Sequence, residues 1–180
     1  MIPAAHPIDL WLFPHPGTRR IEVPLQTLLS RYVPGPIDIR RTPSGKPHLH
    51  PLAGCHFSIS HTTGLSIIAI ARLPLGVDVE SLMAPPGTLD GIVRYLPAHD
   101  RRRLQRTPPA LRNTAILTAW TRFEARAKAA GLGVALLENP CSPDLDRWQL
   151  HPIPLPGYAA ALAIPARHMR LRTRQWPDPQ

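Results

Sequence analysis

The stretch Gly76-Val77-Asp78-Val79-Glu80 decides how this chain is read. Side chains alternate across a β-strand, so Val77 and Val79 leave one face, toward a core, while Asp78 and Glu80 leave the other face together. Two carboxylates side by side repel, and a strand that presents them offers them either to solvent or to a cation. The neighbouring sequence has to decide which.

Upstream, residues 56–60 and 65–71 are apolar runs joined by His61-Thr62-Thr63-Gly64, which predicts a hairpin-like pair of strands. The first run ends as Phe57-Ser58-Ile59-Ser60-His61-Thr62 and sets two hydroxyls and an imidazole where the chain turns. Such groups bind phosphate, and they equally cap turns through local backbone bonds. Ser60 has no G-x-S-x-G elbow around it, which argues against a serine hydrolase. Arg40-Arg41-Thr42-Pro43-Ser44-Gly45-Lys46-Pro47 reads as a basic, turn-rich loop without the G-x-x-x-x-G-K-[ST] pattern of nucleoside triphosphatases. His48, His50, His56 and His61 contain no pair at structural-zinc spacing. Val23, Leu25, Leu28, Leu29 and Tyr32 recur at helical spacing and predict a short helix over 21–32.

Downstream, Pro85-Pro86-Gly87 makes 84–88 the candidate linker, and 89–104 reads as helical, punctuated at Pro97. A longer helix is expected over 112–130, stopped by Gly131, with strands at 148–150 and 158–164. On the long helix Trp120, Glu124 and Lys128 follow one another at intervals of four and share a stripe. Glu124 and Lys128 read as an ordinary ion pair, worth about 0.3–0.5 kcal/mol, with Trp120 anchoring the helix, unless Glu124 joins Asp78 and Glu80 as a third carboxylate. Three carboxylates with no thiolate suit a hard cation. Magnesium, which keeps waters and shares a substrate phosphate, suits them best.

The chain has 180 residues, 43% of them apolar, enough for one ordinary domain or two small halves sharing a core. Its 24 prolines and 11 glycines are scattered between apolar segments, so they predict short elements with stiff connections, frayed at 1–7 and 176–180. Cys55 and Cys141 are too few for a disulfide framework, which points to a reducing cytoplasm. The apolar patch at 10–13 has no basic leader, follows Asp9 and is broken by Pro7 and Pro14, unlike a signal peptide. No apolar run reaches the roughly 20 residues that cross a bilayer, so no membrane partner is expected. A net charge of +9 calls for an anionic partner, whether nucleic acid, phosphorylated cofactor or acidic protein. A nucleic-acid-binding domain would leave the acidic trio without a purpose.

Taken in order, Ser44-Gly45-Lys46-Pro47, Phe57-Ser58-Ile59-Ser60-His61-Thr62, Gly76-Val77-Asp78-Val79-Glu80 and Trp120-Thr121-Arg122-Phe123-Glu124-Ala125-Arg126-Ala127-Lys128-Ala129-Ala130-Gly131-Leu132-Gly133 resemble the 4'-phosphopantetheinyl transferases of the Sfp type. That family shows G-K-P, then F-x-x-S-H, then G-[IV]-D-[IV]-E, then W-x-x-K-E-A-x-x-K-x-x-G-x-G, in this order and at similar spacing. The likeness spans 45–133, and Pro156-Gly157-Tyr158-Ala159-Ala160-Ala161-Leu162 is similar to the family's closing strand.

The resemblance implies an α+β fold of two similar halves, 1–83 and 84–180, each a small antiparallel sheet with a helix. The halves would be related by a pseudo-twofold axis, with the active site in the cleft between them and the chain a fused, monomeric form. It implies a magnesium-dependent holo-carrier-protein synthase, which moves phosphopantetheine from coenzyme A to a serine of an acyl or peptidyl carrier protein and releases 3',5'-ADP. Asp78, Glu80 and Glu124 would hold magnesium, and Glu124 and Lys128 would be catalytic. Lys46, Pro47, Ser60, His61 and Lys128 would bind coenzyme A. An acidic carrier from fatty acid, polyketide or nonribosomal peptide synthesis would meet Arg101, Arg102, Arg103 and Arg106, or Arg170, Arg172 and Arg174, which also read as solubilising charges. Phe123 stands where the family has a lysine, with Arg122 or Arg126 as possible replacements. Gln26 lies nearest the place of an N-terminal arginine that holds the 3'-phosphate in some members. These departures imply an alternative, a homologue that binds coenzyme A or a carrier without transferring.

Overall fold

The computed structural model describes residues 6–16, 24–51, 54–83, 89–133 and 145–176. The expected linker at 84–88, Cys141 and the outermost terminal residues lie outside these, as does the start of the first expected helix. The described chain is mixed α and β, with small sheets and few helices.

The most apolar run, Leu-Ser-Ile-Ile-Ala-Ile-Ala, forms strand β5 (Leu65–Ala71), buried along its whole length. Strand β4 (His56–Thr62) precedes it and pairs antiparallel with it across the expected turn. Gly64 adopts a φ of +82° there, and a Cβ would stand 2.8 Å from the Tyr158 hydroxyl. On its other edge β5 pairs antiparallel with β1 (His6–Pro14), and β1 pairs parallel with the last strand, β9 (Met169–Gln175). The four-stranded sheet therefore runs β4-β5-β1-β9. The second sheet runs β6-β8-β7 and is built from β6 (Gly76–Ser81), β8 (Tyr158–Ile164) and β7 (Gln149–Pro152).

Alternation then sets the layers. Ile8, Leu10, Ile67 and Ala69 of the first sheet meet Val77, Val79, Leu162 and Ile164 of the second in one core. The opposite face of the first sheet, with Trp11, Phe13, Phe57 and Ile70, is covered by Leu28 and Leu29 of the one-turn helix α1 (Leu25–Leu29). On the opposite face of the second sheet Ala161 and Ala163 pack against Ala125 and Ala129 of α4 (Pro109–Ala130). Helices α2 (Asp90–Val93) and α3 (Ala98–Gln105) flank α4, and Leu104 of α3 is buried with Ile116, Phe123 and Ala127.

The long helix is placed by small residues. Gly76 begins β6 directly against α4, and a Cβ there would collide with the Ala125 carbonyl oxygen and the Ala129 amide nitrogen, with the Lys128 carbonyl carbon at 2.9 Å. Helix α4 begins at Pro109, earlier than the sequence expectation, because a proline is well tolerated in the first turn. It ends where expected, at Gly131, whose φ of 71° closes the helix in the left-handed region.

Two strands depart from the sequence reading. Strand β1 covers part of the segment expected to fray, and β9 contains the arginines read as solubilising. Asp9 explains both: it is 5% exposed and accepts from Arg172 Nε at 2.7 Å and from the Tyr32 hydroxyl at 2.9 Å, while Arg174 Nε lies 3.9 Å away. The Tyr32 oxygen in turn accepts from Trp11 Nε1 at 2.7 Å, and burial together with Asp9 pushes the phenol up to about 12. The expected loop at 40–47 is a hairpin of β2 (Ile39–Arg41) and β3 (Pro47–Leu49) around Thr42–Lys46. The four-stranded and the three-stranded sheet also each draw a strand from across the 83/84 boundary. β6 precedes it and joins β7 and β8, whereas β9 follows it and completes the first sheet.

Gly76→Ala should lower stability by about 1–3 kcal/mol or more, as overpacking against a backbone that cannot give way does. Urea unfolding of the two proteins checks this, and equal midpoints would show that β6 and α4 are not in backbone contact.

Candidate active site

The acidic strand lies at a seam. β4 is the edge of one sheet and β6 the edge of the other, and hydroxyls from β4 meet the outward amides of β6. The Val77 N–H donates to Ser58 Oγ at 3.0 Å, the Val79 N–H to Ser60 Oγ at 3.3 Å, and the Ser81 N–H to Thr62 Oγ1 at 3.0 Å. Residues 58, 60 and 62 face one way on β4, so period-two alternation sets three hydroxyls in a row opposite β6. Ser60 also donates to Asp78 Oδ1 at 2.7 Å, and Thr62 donates to Glu80 Oε2 at 3.2 Å.

Asp78 and Glu80 share their face of β6 with Gly76, the face that meets α4. Lys128 Nζ reaches Asp78 Oδ1 at 2.7 Å, with the lysine side chain 30% exposed and the aspartate 6%. The other oxygen, Asp78 Oδ2, is buried without a hydrogen-bond partner. An unpaired buried carboxylate oxygen is expensive, and it is the kind of group a cation would satisfy.

Glu80 and Glu124 stand in the field of Asp78. Burial, then the Asp78 charge, raises Glu80 to about 7, and Glu124 adds to the shift. The same first two causes raise Glu124, against the pull of Lys128. The expected trio therefore shares one electrostatic neighbourhood. Among the described residues, though, no three His, Cys, Asp or Glu side chains converge closely enough to enclose a metal ion. The ammonium of Lys128 is the positive charge that touches Asp78. In chemistry, though not in convergence, the three carboxylates suit a hard cation: all their donor atoms are oxygens, and Asp78 Oδ2 is an unsatisfied acceptor.

The other expected residues lie in different surroundings. Ser60 is 4% exposed, and its hydroxyl serves Asp78 and the Val79 amide. Lys46 Nζ donates to the Ala129 carbonyl at 2.9 Å and, at 3.4 Å, to the Leu75 carbonyl, so it caps the end of α4, and burial lowers it to about 8. Its loop also presses on the helix end, since a Cβ on Gly133 would lie 2.7 Å from the Ser44 carbonyl oxygen. Lys46 and Pro47 line a small pocket with His48, Cys55, His56 and Phe57. His61 is exposed at the end of β4.

Phe123 is 4% exposed and lies 5.9 Å, ring to ring, from Trp120, so at this position the chain has a core residue. Arg122 is exposed, and Arg126 donates to the Trp148 carbonyl at 3.3 Å. Gln26 is exposed on α1, as are Arg101, Arg102, Arg103 and Arg106 at α3 and its end. Thr62 was not singled out from sequence, although its place two residues after Ser60 on a strand was the signal for it.

Glu80 makes the stability of the fold sensitive to pH. Its folded value, about 7, lies above the ordinary 4.5, so its protonated form favours the fold. That contribution is fully present below about 4.5 and is lost as pH rises through about 7. In chelator the melting temperature should fall over that window. The fall should be shallower in Glu80→Gln and with added magnesium; parallel curves for the two proteins would refute the assignment.

No family model matches the chain. Over 92 residues it is 32% identical to a 4'-phosphopantetheinyl transferase of Bacillus subtilis. The similar stretch takes in 51% of this chain and 40% of that relative, so the chain matches less than half of the relative's length.

Proposed function

We propose that this chain is a 4'-phosphopantetheinyl transferase of the Sfp type, moving phosphopantetheine from coenzyme A to a carrier-protein serine and releasing 3',5'-ADP. The observation that carries the reading is the buried Asp78, with Oδ2 unpartnered, Lys128 on Oδ1, and Glu80 and Glu124 beside it. The similarity to the Bacillus subtilis transferase and the order of the four sequence patterns support it independently. The proposal includes a fused, monomeric, pseudo-twofold arrangement of 1–83 and 84–180, with coenzyme A in the cleft between them.

Asp78, Glu80 and Glu124 would hold magnesium, whose chemistry is to neutralise the diphosphate and the leaving oxygen. The serine hydroxyl forms the new oxygen–phosphorus bond at the β-phosphorus as the bond to 3',5'-ADP breaks. Glu124 takes the serine proton, and the raised affinity for protons that burial and Asp78 give it suits a general base. Lys128, on the same face of α4, balances charge on the phosphates. Lys46 and Pro47, which line the small pocket, and the exposed His61 serve the nucleotide end, while Ser60 acts on the cation side of coenzyme A through its hold on Asp78. An acidic carrier is attracted by the +9 charge and by the exposed arginines of α3.

A second reading, a homologue that binds coenzyme A or a carrier without transferring, draws on Lys46, whose ammonium is engaged by two backbone carbonyls. Carrier mass separates the two. The native protein with magnesium should add one phosphopantetheine to a fatty acid, polyketide or nonribosomal peptide carrier, chelator should abolish the gain, and Glu124→Gln should lower kcat about 10²–10⁴-fold. No gain on any carrier, with coenzyme A binding retained, would favour the second reading.

A further inference from the structure

We infer that Thr62 is a positioning residue for Glu80, holding its carboxylate beside Asp78 for the cation site; this rests on the proposed metal-binding reading. β4 and β6 belong to different sheets, and where they meet, the outward amides of Val77, Val79 and Ser81 go to the side chains of Ser58, Ser60 and Thr62. A hydroxyl has one proton. Once Thr62 Oγ1 accepts from the Ser81 amide at 3.0 Å, its own proton is directed elsewhere, and it donates to Glu80 Oε2 at 3.2 Å. Ser60 repeats the arrangement one step along, accepting from Val79 and donating to Asp78. Ser58 accepts from Val77, and the residue beside it on that face of β6 is Gly76, which has no carboxylate.

One hydroxyl per carboxylate thus converts the backbone position of β6 into a fixed side-chain direction. Glu80 needs this more than Asp78 does. Its side chain is longer and its exposure intermediate, whereas Asp78 is buried and also held by Lys128. Outer partners that orient a ligand typically change metal affinity by about 10–100-fold when removed. Thr62 carries that role for Glu80.

The test uses the whole chain and Mn²⁺, counted as free ion by electron paramagnetic resonance. Thr62→Val keeps the branched shape and removes the hydroxyl; it should weaken Mn²⁺ binding about tenfold and speed hydrogen exchange at the Ser81 amide. Thr62→Ser should restore both. Ser58→Ala breaks a seam contact that faces no acid, and its Mn²⁺ affinity should stay within about twofold of the parent's. If Thr62→Val does not fold, Thr62→Ala is read in its place. Unchanged Mn²⁺ affinity in the hydroxyl-free variant would overturn the inference, and so would an equal loss in Ser58→Ala, which would mean general loosening of the seam. A parent protein that binds no Mn²⁺ would overturn the metal reading itself and this role with it.

Discussion

Everything in this molecule that resembles an active site depends on how two sheet edges meet. At β4 and β6 the outward amides of Val77, Val79 and Ser81 would be left without partners if the neighbouring strand offered only apolar side chains. Ser58, Ser60 and Thr62 receive them, and two of these hydroxyls then hold Asp78 and Glu80. The same bonds that close the structure therefore aim the carboxylates. Burial, and after it the Asp78 charge, disfavours a second ionised carboxylate here and raises Glu80 to about 7. The fold retains it at a point where a cation would relieve the strain.

The second constraint is the close approach of α4. A helix carrying large side chains toward the second sheet would stand too far off for Lys128 to touch Asp78. Gly76 on β6, Ala161 and Ala163 on β8, and Ala125 and Ala129 on α4 bring the backbones together. At the helix end Lys46 donates to the Ala129 carbonyl, and Gly133 lies against Ser44, so the β2–β3 hairpin fixes where α4 stops. Segments far apart in sequence are thus tied by packing as well as by chemistry. Lys46 and the glycines at 76 and 133 have structural work in this chain whatever ligand is bound.

The sequence exposed those parts whose pattern is local. The alternation of β6, the apolar runs of β4 and β5, the closing strand β8 and the glycine stop of α4 were all readable. Strand β1 was not, because Pro7, Asp9 and Pro14 look like interruptions until Asp9 is seen to bind Arg172 and Tyr32. Strand β9 alternates Met169, Leu171 and Thr173 with Arg170, Arg172 and Arg174, yet the arginines gave the impression of a solvated tail. Its pairing with β1 is a contact between opposite ends of the chain, and no local pattern encodes that. At the site, periodicity put Asp78 and Glu80 on one strand face and Glu124 and Lys128 on one helix stripe, but the contact of Lys128 with Asp78 depends on how strand and helix pack, which periodicity leaves open. The inward turn of Lys46 and the burial of Phe123 depend on what packs beside them, which residue type alone does not disclose.

On the proposed function, Asp78, Glu80 and Glu124 serve one cation. Crystals grown with Mn²⁺ and coenzyme A, recorded near the manganese absorption edge, would show it. A single anomalous peak bounded by these three carboxylates and the diphosphate is expected. A map with no peak there, or with the manganese held by other side chains while Lys128 remains on Asp78, would contradict it.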